Sequence, residues 1–230
     1  MADIKTNDKY IHMRSTHGHD DGQSNGYRSH KFFLREKVLL STLINNDLNT
    51  ILDIACGSGL MLSHYINNTD FDILGVDYNE NACTGAQLNE LTIFRGDAFH
   101  LPLKKNSIPQ IINCQFLNQQ TPENASIFIE EIARILKPGG QAIIFWRNSR
   151  SLLHTMAHYL LSIVDKLKKR PLFPQYSHSI KTLSDHSKNY NLTPSFQAVS
   201  IPYGPIKYVS TKNPLAYIFG ASNILVVKKL

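Results

Sequence analysis

Apolar and polar positions along the chain follow two periods in alternation. The run Thr50-Ile51-Leu52-Asp53-Ile54 is mostly apolar and largely β-branched, the pattern of a strand buried in a parallel sheet. Similar short runs recur at Phe71–Val76, Leu91–Arg95, Ile108–Cys114 and Gln141–Trp146. Helical patterns separate them at Leu60–Ile66, Asn79–Leu88 and Pro122–Leu136, the last with Thr121 as N-cap and Pro122 at the first helical position. Upstream, Phe32, Phe33, Val38, Leu39, Leu40 and Leu43 mark an amphipathic helix within Tyr27–Ile44. Downstream, Ser151–Leu167 carries Leu153, Met156, Ala157, Leu160, Val164 and Leu167 on one helical face. A short helix follows at Ile180–Tyr190, and Ser195–Ile201 and Asn223–Lys229 form an antiparallel pair of strands. Strands alternating with helices and closing on an antiparallel pair predict an α/β fold.

The first 26 residues are polar and show no periodicity, so residues 1–30 read as a mobile segment, with Asp8–Arg35 as a lid over the site described below. His17-Gly18-His19-Asp20-Asp21 lacks a third well-spaced ligand, and His154 and His158 lack the glutamate that a zinc-protease helix places after its first histidine. No metal site is assigned to either. A length of 230 residues suits one large α/β domain or two small ones. No apolar run approaches the roughly 18 residues of a membrane span, and the polar Met1–Tyr10 has no signal-peptide core. Cys56, Cys83 and Cys114 are odd in number with no C-x-x-C spacing, which fits a reducing, cytoplasmic compartment.

Net charge is +6, but it is unevenly spread. Residues 1–150 carry 14 Lys and Arg against 16 Asp and Glu, whereas residues 151–230 carry 10 against only Asp165 and Asp185. Such asymmetry speaks to partners rather than to fold.

The chemistry concentrates where the first strand ends. After Thr50–Ile54 the chain turns at Gly57-Ser58-Gly59 and enters a helical pattern, the place where an open α/β sheet binds a nucleotide. A dinucleotide fingerprint would require a third glycine at Leu62, and Asp53 would repel a pyrophosphate while welcoming a cationic cofactor. The alternative is a tight strand-to-helix turn with no ligand.

Asp53-Ile54-Ala55-Cys56-Gly57-Ser58-Gly59 resembles the first motif of class I S-adenosylmethionine-dependent methyltransferases, with Ala55 where that family often has glycine. Gly96-Asp97-Ala98 with Leu101-Pro102 resembles the family's adenine turn, and Leu136-Lys137-Pro138-Gly139-Gly140 before an apolar strand is a further family marker. The closest look is to the ubiquinone/menaquinone-biosynthesis-like group of small-molecule enzymes. The resemblance implies a Rossmann-like seven-stranded sheet of order 3-2-1-4-5-7-6, its seventh strand antiparallel, with helices on both faces. It implies S-adenosylmethionine as cofactor, held by Asp53, Ala55, Cys56, Gly57, Ser58 and Gly59, by Asp77 and Tyr78 at the second strand end, by Asp97 and Ala98, and by Cys114 and Gln115. In that reading Asp77 accepts hydrogen bonds from two ribose hydroxyls, and Asp97 accepts from the adenine amino group, unless Asp97 merely caps its turn.

The acceptor side departs from specialised relatives. Gln115-Phe116-Leu117-Asn118 is not the Asn/Asp-Pro-Pro-Tyr of base-amino methylation, no Pro-Cys nucleophile follows the fourth strand, and Asn113 replaces the acid of magnesium-dependent catechol-type enzymes. A small-molecule acceptor is expected, covered by insertions at 148–194 and 202–222 that are rich in aromatics and Lys or Arg. Phe116, Tyr176, Tyr203 and Lys207 are the acceptor-binding candidates, the basic residues suiting an anionic handle. His100, His178 and Tyr203 are candidate bases, although transfer to an acceptor without a proton to lose needs none. Rival readings are an RNA or protein methyltransferase, a non-catalytic S-adenosylmethionine-binding module and an NAD-dependent oxidoreductase; Leu62 and Asp53 argue against the last.

Overall fold

The computed structural model describes residues 30–63, 71–88, 91–152, 155–156, 159–160, 163, 175–201, 208–213 and 218–230. In chain order these contain α1 (His30–Ser41), β1 (Thr50–Ile54), β2 (Asp72–Asp77), α2 (Glu80–Leu88), β3 (Thr92–Arg95), β4 (Ile108–Cys114), a 3₁₀ turn at Phe116–Gln119, α3 (Pro122–Ile135), β5 (Leu136–Arg147), α4 (Ile180–Lys188), β6 (Leu192–Ser200), β7 (Tyr208–Ser210) and β8 (Ser222–Lys229). They form one sheet of order β3-β2-β1-β4-β5-β8-β6-β7. The first five strands are parallel, β8 runs antiparallel between β5 and β6, and β7 pairs antiparallel with β6.

Strand residues alternate between two cores, because successive side chains point to opposite faces. Leu52, Ile54, Ile111, Ile144, Trp146 and Leu225 pack with Phe128, Ile129 and Ile132 of α3 and Leu183 of α4. Ile51, Ile73, Ile112, Ile143, Phe145 and Ile224 pack on the other face with Phe33, Leu39 and Leu40 of α1 and Ala86 of α2. The helices thus lie on both faces, as expected. Pro122 opens α3 behind Thr121, whose side chain accepts the Asn124 N–H at 3.2 Å. On α3, Arg134 donates to Glu131 at 2.7 Å and to the Leu101 and Leu103 carbonyls, while Glu131 accepts the Leu101 N–H at 2.6 Å. Burial acts to raise the Glu131 carboxyl, but these hydrogen bonds and the guanidinium hold it below its ordinary value. The cluster clamps the chain just after β3 onto α3.

Two expectations are corrected. The sheet has eight strands rather than seven: Tyr208–Ser210 was within the 202–222 connection, and three residues are too short a run for alternation to be legible. The fifth strand starts at Leu136, not Gln141. Its register with β4 jumps from Ile108↔Leu136 to Gln110↔Gln141, so Lys137–Gly140 form a bulge in the strand rather than a loop before it. In the 151–167 segment the helical residues Met156 and Leu160 are exposed together with Leu152, Tyr159 and Ile163. Leu153, His154, Ala157, His158, Val164 and Leu167, the 1–29 part of the lid and the helix expected beyond Ser63 lie outside the described residues. No helix of the described residues is long and apolar enough to cross a membrane.

Gly75 in β2 marks the tightest packing beneath the first-strand turn. A Cβ there would come within 2.7 Å of Leu91 Cδ2 and 2.9 Å of Cys56 Sγ. Gly75→Ala is therefore expected to lower the unfolding free energy by about 1–3 kcal/mol in a urea melt. Combined with Leu91→Ala, which removes the clashing methyl, it should cost less than the sum of the two.

Candidate functional site

At the carboxyl end of β1 the backbone enters the left-handed region three times, at Ala55 (φ 57°), Gly57 (φ 59°) and Gly59 (φ 75°). The Cys56 N–H donates to the Val76 carbonyl at 3.1 Å, and the Gly57 N–H donates to Asp77 Oδ2 at 2.9 Å. The other oxygen, Asp77 Oδ1, accepts the Asn79 N–H at 2.8 Å, and Asn79 in turn caps α2 by accepting the Ala82 N–H. One carboxylate thus joins the glycine turn to the end of β2. Gly59 also fits because a side chain there would strike Leu91 at 2.8 Å.

Asp53 lies under this turn and is 2% exposed. Burial, and after it the Asp77 charge, push its carboxyl well above the ordinary value of 3.8. Among the described residues no cation forms an ion pair with Asp53. Cys56 is buried beside it. Burial first, then the Asp53 and Asp77 charges, push its thiol well above the ordinary 9.0, so it is a packing group and not a nucleophile. Ser58 is buried within the turn.

At the end of β3, Asp97 Oδ1 accepts the Phe99 N–H at 2.9 Å, so the turn-capping role considered for Asp97 is present. Its Oδ2 stands 3.7 Å from His100 Nδ1, and both side chains are largely exposed. Ala98 is buried beside them. Tyr78 is half-exposed; the Arg95 guanidinium lies 5.6 Å from its ring centroid, and Arg95 Nε donates to its carbonyl at 3.1 Å.

Beyond Cys114, which is half-buried at the end of β4, Gln115 takes a left-handed conformation (φ 67°), a strained geometry for a residue with a side chain. It is held by its surroundings. Its N–H donates to Phe145 O at 2.8 Å, its Nε2 donates to Glu36 Oε2 of α1 at 2.8 Å and to Ser222 Oγ of β8 at 3.1 Å, and its Oε1 accepts from Asn118 Nδ2 at 2.6 Å. Asn118 also accepts the Arg147 N–H, and its carbonyl accepts the Tyr176 N–H, both at 2.8 Å. Asn113 is fully buried and its Nδ2 donates to the Ile54 carbonyl at 2.8 Å, bracing β4 against β1.

Phe116 is a wall residue rather than a free platform, half-buried between Phe99 and Phe128 at centroid distances of 5.7 and 5.1 Å. His178 is corrected from candidate base to structural residue. It is buried, with Nε2 at 2.9 and 3.0 Å from the Leu117 and Gln120 carbonyls, and its own carbonyl accepts from Trp146 Nε1 at 2.9 Å. Two acceptor carbonyls require that nitrogen to carry its hydrogen. Tyr203 and Lys207 lie outside the described residues. The reading of the sequence missed Glu36, Asn118 and Ser222. For Glu36 a signal existed: an acid three residues after Phe33 and three before Leu39 sits on the apolar stripe of α1, where a charge needs a buried partner.

Residues 52–144 match the family described as methyltransferase domain. The chain is 29% identical over 121 residues to demethylmenaquinone methyltransferase of Oceanobacillus iheyensis, covering 48% of this chain and 50% of that protein. It is 26% identical over 155 residues to the Staphylococcus aureus protein of the same name, covering 62% of each. The chain therefore spans between half and two thirds of the length of these curated relatives. Among solved structures it is similar to a possible histamine N-methyltransferase from Thermotoga maritima, with a TM-score of 0.66, 17% identity, and 86% of this chain and 89% of that one covered. Residues 52–144 thus resemble a methyltransferase domain, and the fold is similar to that of solved S-adenosylmethionine-dependent methyltransferases.

Two outcomes follow from the turn. A left-handed alanine carries strain that glycine does not, so Ala55→Gly is expected to stabilise the chain by about 0.5–1 kcal/mol in urea melts. The folded chain holds the Asp53 proton more tightly than the unfolded chain. Its contribution to stability is therefore greatest below the ordinary carboxylate value of 3.8 and is lost as pH rises from there through the raised folded value. Asp53→Asn removes that decline. It should be more stable than wild type at neutral pH, and the difference should close in melts run below pH 3.8.

Proposed function

Taking residues 52–144 as a methyltransferase domain, we propose that the protein transfers a methyl group from S-adenosylmethionine to a small acceptor with a ring of the quinone type. The observation that carries the reading is the pairing of two acids, Asp53 and Asp77, at the left-handed glycine turn after β1. Such a pair repels a pyrophosphate and favours a cofactor bearing cationic sulfonium and ammonium groups. A cation near Asp53 favours its ionised form and opposes the upward push of burial.

S-adenosylmethionine, when bound, supplies a methyl already activated on a sulfonium with a neutral leaving group. The chain's task is to hold and align. Each Asp77 oxygen accepts one backbone N–H, and in this reading the carboxylate also accepts from two ribose hydroxyls. Asp97 Oδ2 and the Ala98 N–H serve the adenine edge, with Tyr78 at the rim. Gln115, fixed by Glu36, Asn118 and Ser222, sets the end of β4 where the acceptor approaches, with Phe116 behind it. Alignment and exclusion of water account for several kcal/mol of rate acceleration in such a displacement. No proton transfer is assigned to His100, which is exposed, or to His178, which is committed to carbonyls.

The ring-bearing acceptor is supported by the names of the relatives above. The basic C-terminal third supports an anionic handle on that acceptor, with Tyr176, Tyr203 and Lys207 as contacts. Three free cysteines fit a cytoplasmic setting.

Asp77→Ala should weaken S-adenosylmethionine binding by about 2–4 kcal/mol in a calorimetric titration, through two lost charge-assisted contacts and a loosened Gly57 turn. Unchanged affinity would overturn the ribose assignment. Single turnover of methyl-labelled cofactor with a quinol-containing extract tests the reaction, and cofactor binding without label transfer would overturn the enzyme reading.

A further inference from the structure

Between the first turns of α3 and α4 and the outer strands β8 and β6 lies a cavity of about 610 Å³, closed on one side by Asn148–Arg150 after β5. Its charged lining is of one sign. Arg150, Lys181 and Lys212 contribute to the wall, and no aspartate or glutamate among the described residues does. Hydroxyls from Ser149, Ser177 and Thr211 supplement them.

Two further features point to an anion. Lys181 is partly neutralised, since its Nζ lies 3.4 Å from Asp185 Oδ2, but Lys212 has no acidic partner among the described residues. His186, also in the wall, has a buried Nε2 with no hydrogen-bond partner among the described residues. Buried polar groups are normally paired, so the orphan nitrogen marks this wall as polar and incompletely satisfied. The first turn of α4, Ser179–Leu183, also lines the cavity and adds favourable dipole there.

The position suits an extended acceptor. Asn223 of the cavity wall is opposite Trp146, which follows the Phe145 paired with Cys114 at the end of β4. Two strand spacings, about 10 Å, separate the end of β4 from this wall.

We propose that this cavity is an oxyanion subsite that binds a phosphate-, diphosphate- or carboxylate-bearing group through Lys212, Arg150 and Lys181. The oxyanion is either the handle of the methyl acceptor or a free anion. Only its assignment to the acceptor rests on the methyl-transfer reading.

The test is calorimetric titration of the full chain with inorganic pyrophosphate at fixed ionic strength. Wild type should bind saturably, Lys212→Ala and Arg150→Ala should each bind about tenfold more weakly, and Asp185→Asn, which frees Lys181, should bind more tightly. Asp77→Ala should lose cofactor affinity and keep pyrophosphate affinity, which separates failure of this site from failure of the cofactor reading. No saturable heat from wild type, or equal affinity in a Lys212→Ala, Arg150→Ala double variant, overturns the proposal. In the methyl-transfer assay, pyrophosphate competitive with the acceptor identifies the site as the subsite of its handle. Saturable binding without that competition identifies a free anion as the ligand.

Discussion

The site depends on one hydrogen-bonded carboxylate. Asp77 receives the Gly57 N–H on one oxygen and the Asn79 N–H on the other, at 2.9 and 2.8 Å. The first bond fixes a turn that passes through three left-handed residues and would otherwise have many conformations available. The second orients Asn79 as the cap of α2, so the same acid sets the start of the helix beneath the turn. A charge-assisted contact of this kind contributes roughly twice a neutral one. It also concentrates negative charge beside Asp53, whose carboxyl is already raised by burial. The two neighbouring acids thus carry an electrostatic cost within the fold itself.

The acceptor side has a different logic. Gln115 sits in a costly backbone region, and the cost is met by four hydrogen bonds reaching into α1, β5, β8 and the 3₁₀ turn. A buried network of this type is stiff when every member is satisfied and fails as a unit when one is removed. Because Glu36 comes from α1 and Ser222 from β8, the position of the end of β4 is set by segments separated by most of the chain.

Charge is arranged along the sheet in the same direction. The acids Asp53, Asp77 and Asp97 mark the ends of β1, β2 and β3, whereas Arg150, Lys181 and Lys212 gather near β6 and β8. A ligand set that is cationic at one end and anionic at the other would find complementary potential across the sheet. The charge asymmetry between the two parts of the chain is the linear trace of this arrangement.

What the residues alone determined was local. Apolar runs of four to seven residues gave β1 to β4 nearly to the residue, Thr121-Pro122 set the start of α3, and the glycines marked the left-handed turn after β1, because these depend on period, capping and backbone conformation within a few residues. Tertiary structure decided the rest. A three-residue strand such as Tyr208–Ser210 has no readable period and exists because β6 offers it an edge. The bulge at Lys137–Gly140 appears only when β5 must keep register with β4. His178, a plausible base as an isolated residue, became a structural one once Leu117, Gln120 and Trp146 closed around it. Glu36 became part of the acceptor end only through Gln115, 79 residues away. Long-range hydrogen bonds carry no signature in the residues that make them, because their partners are chosen by the packing of the sheet.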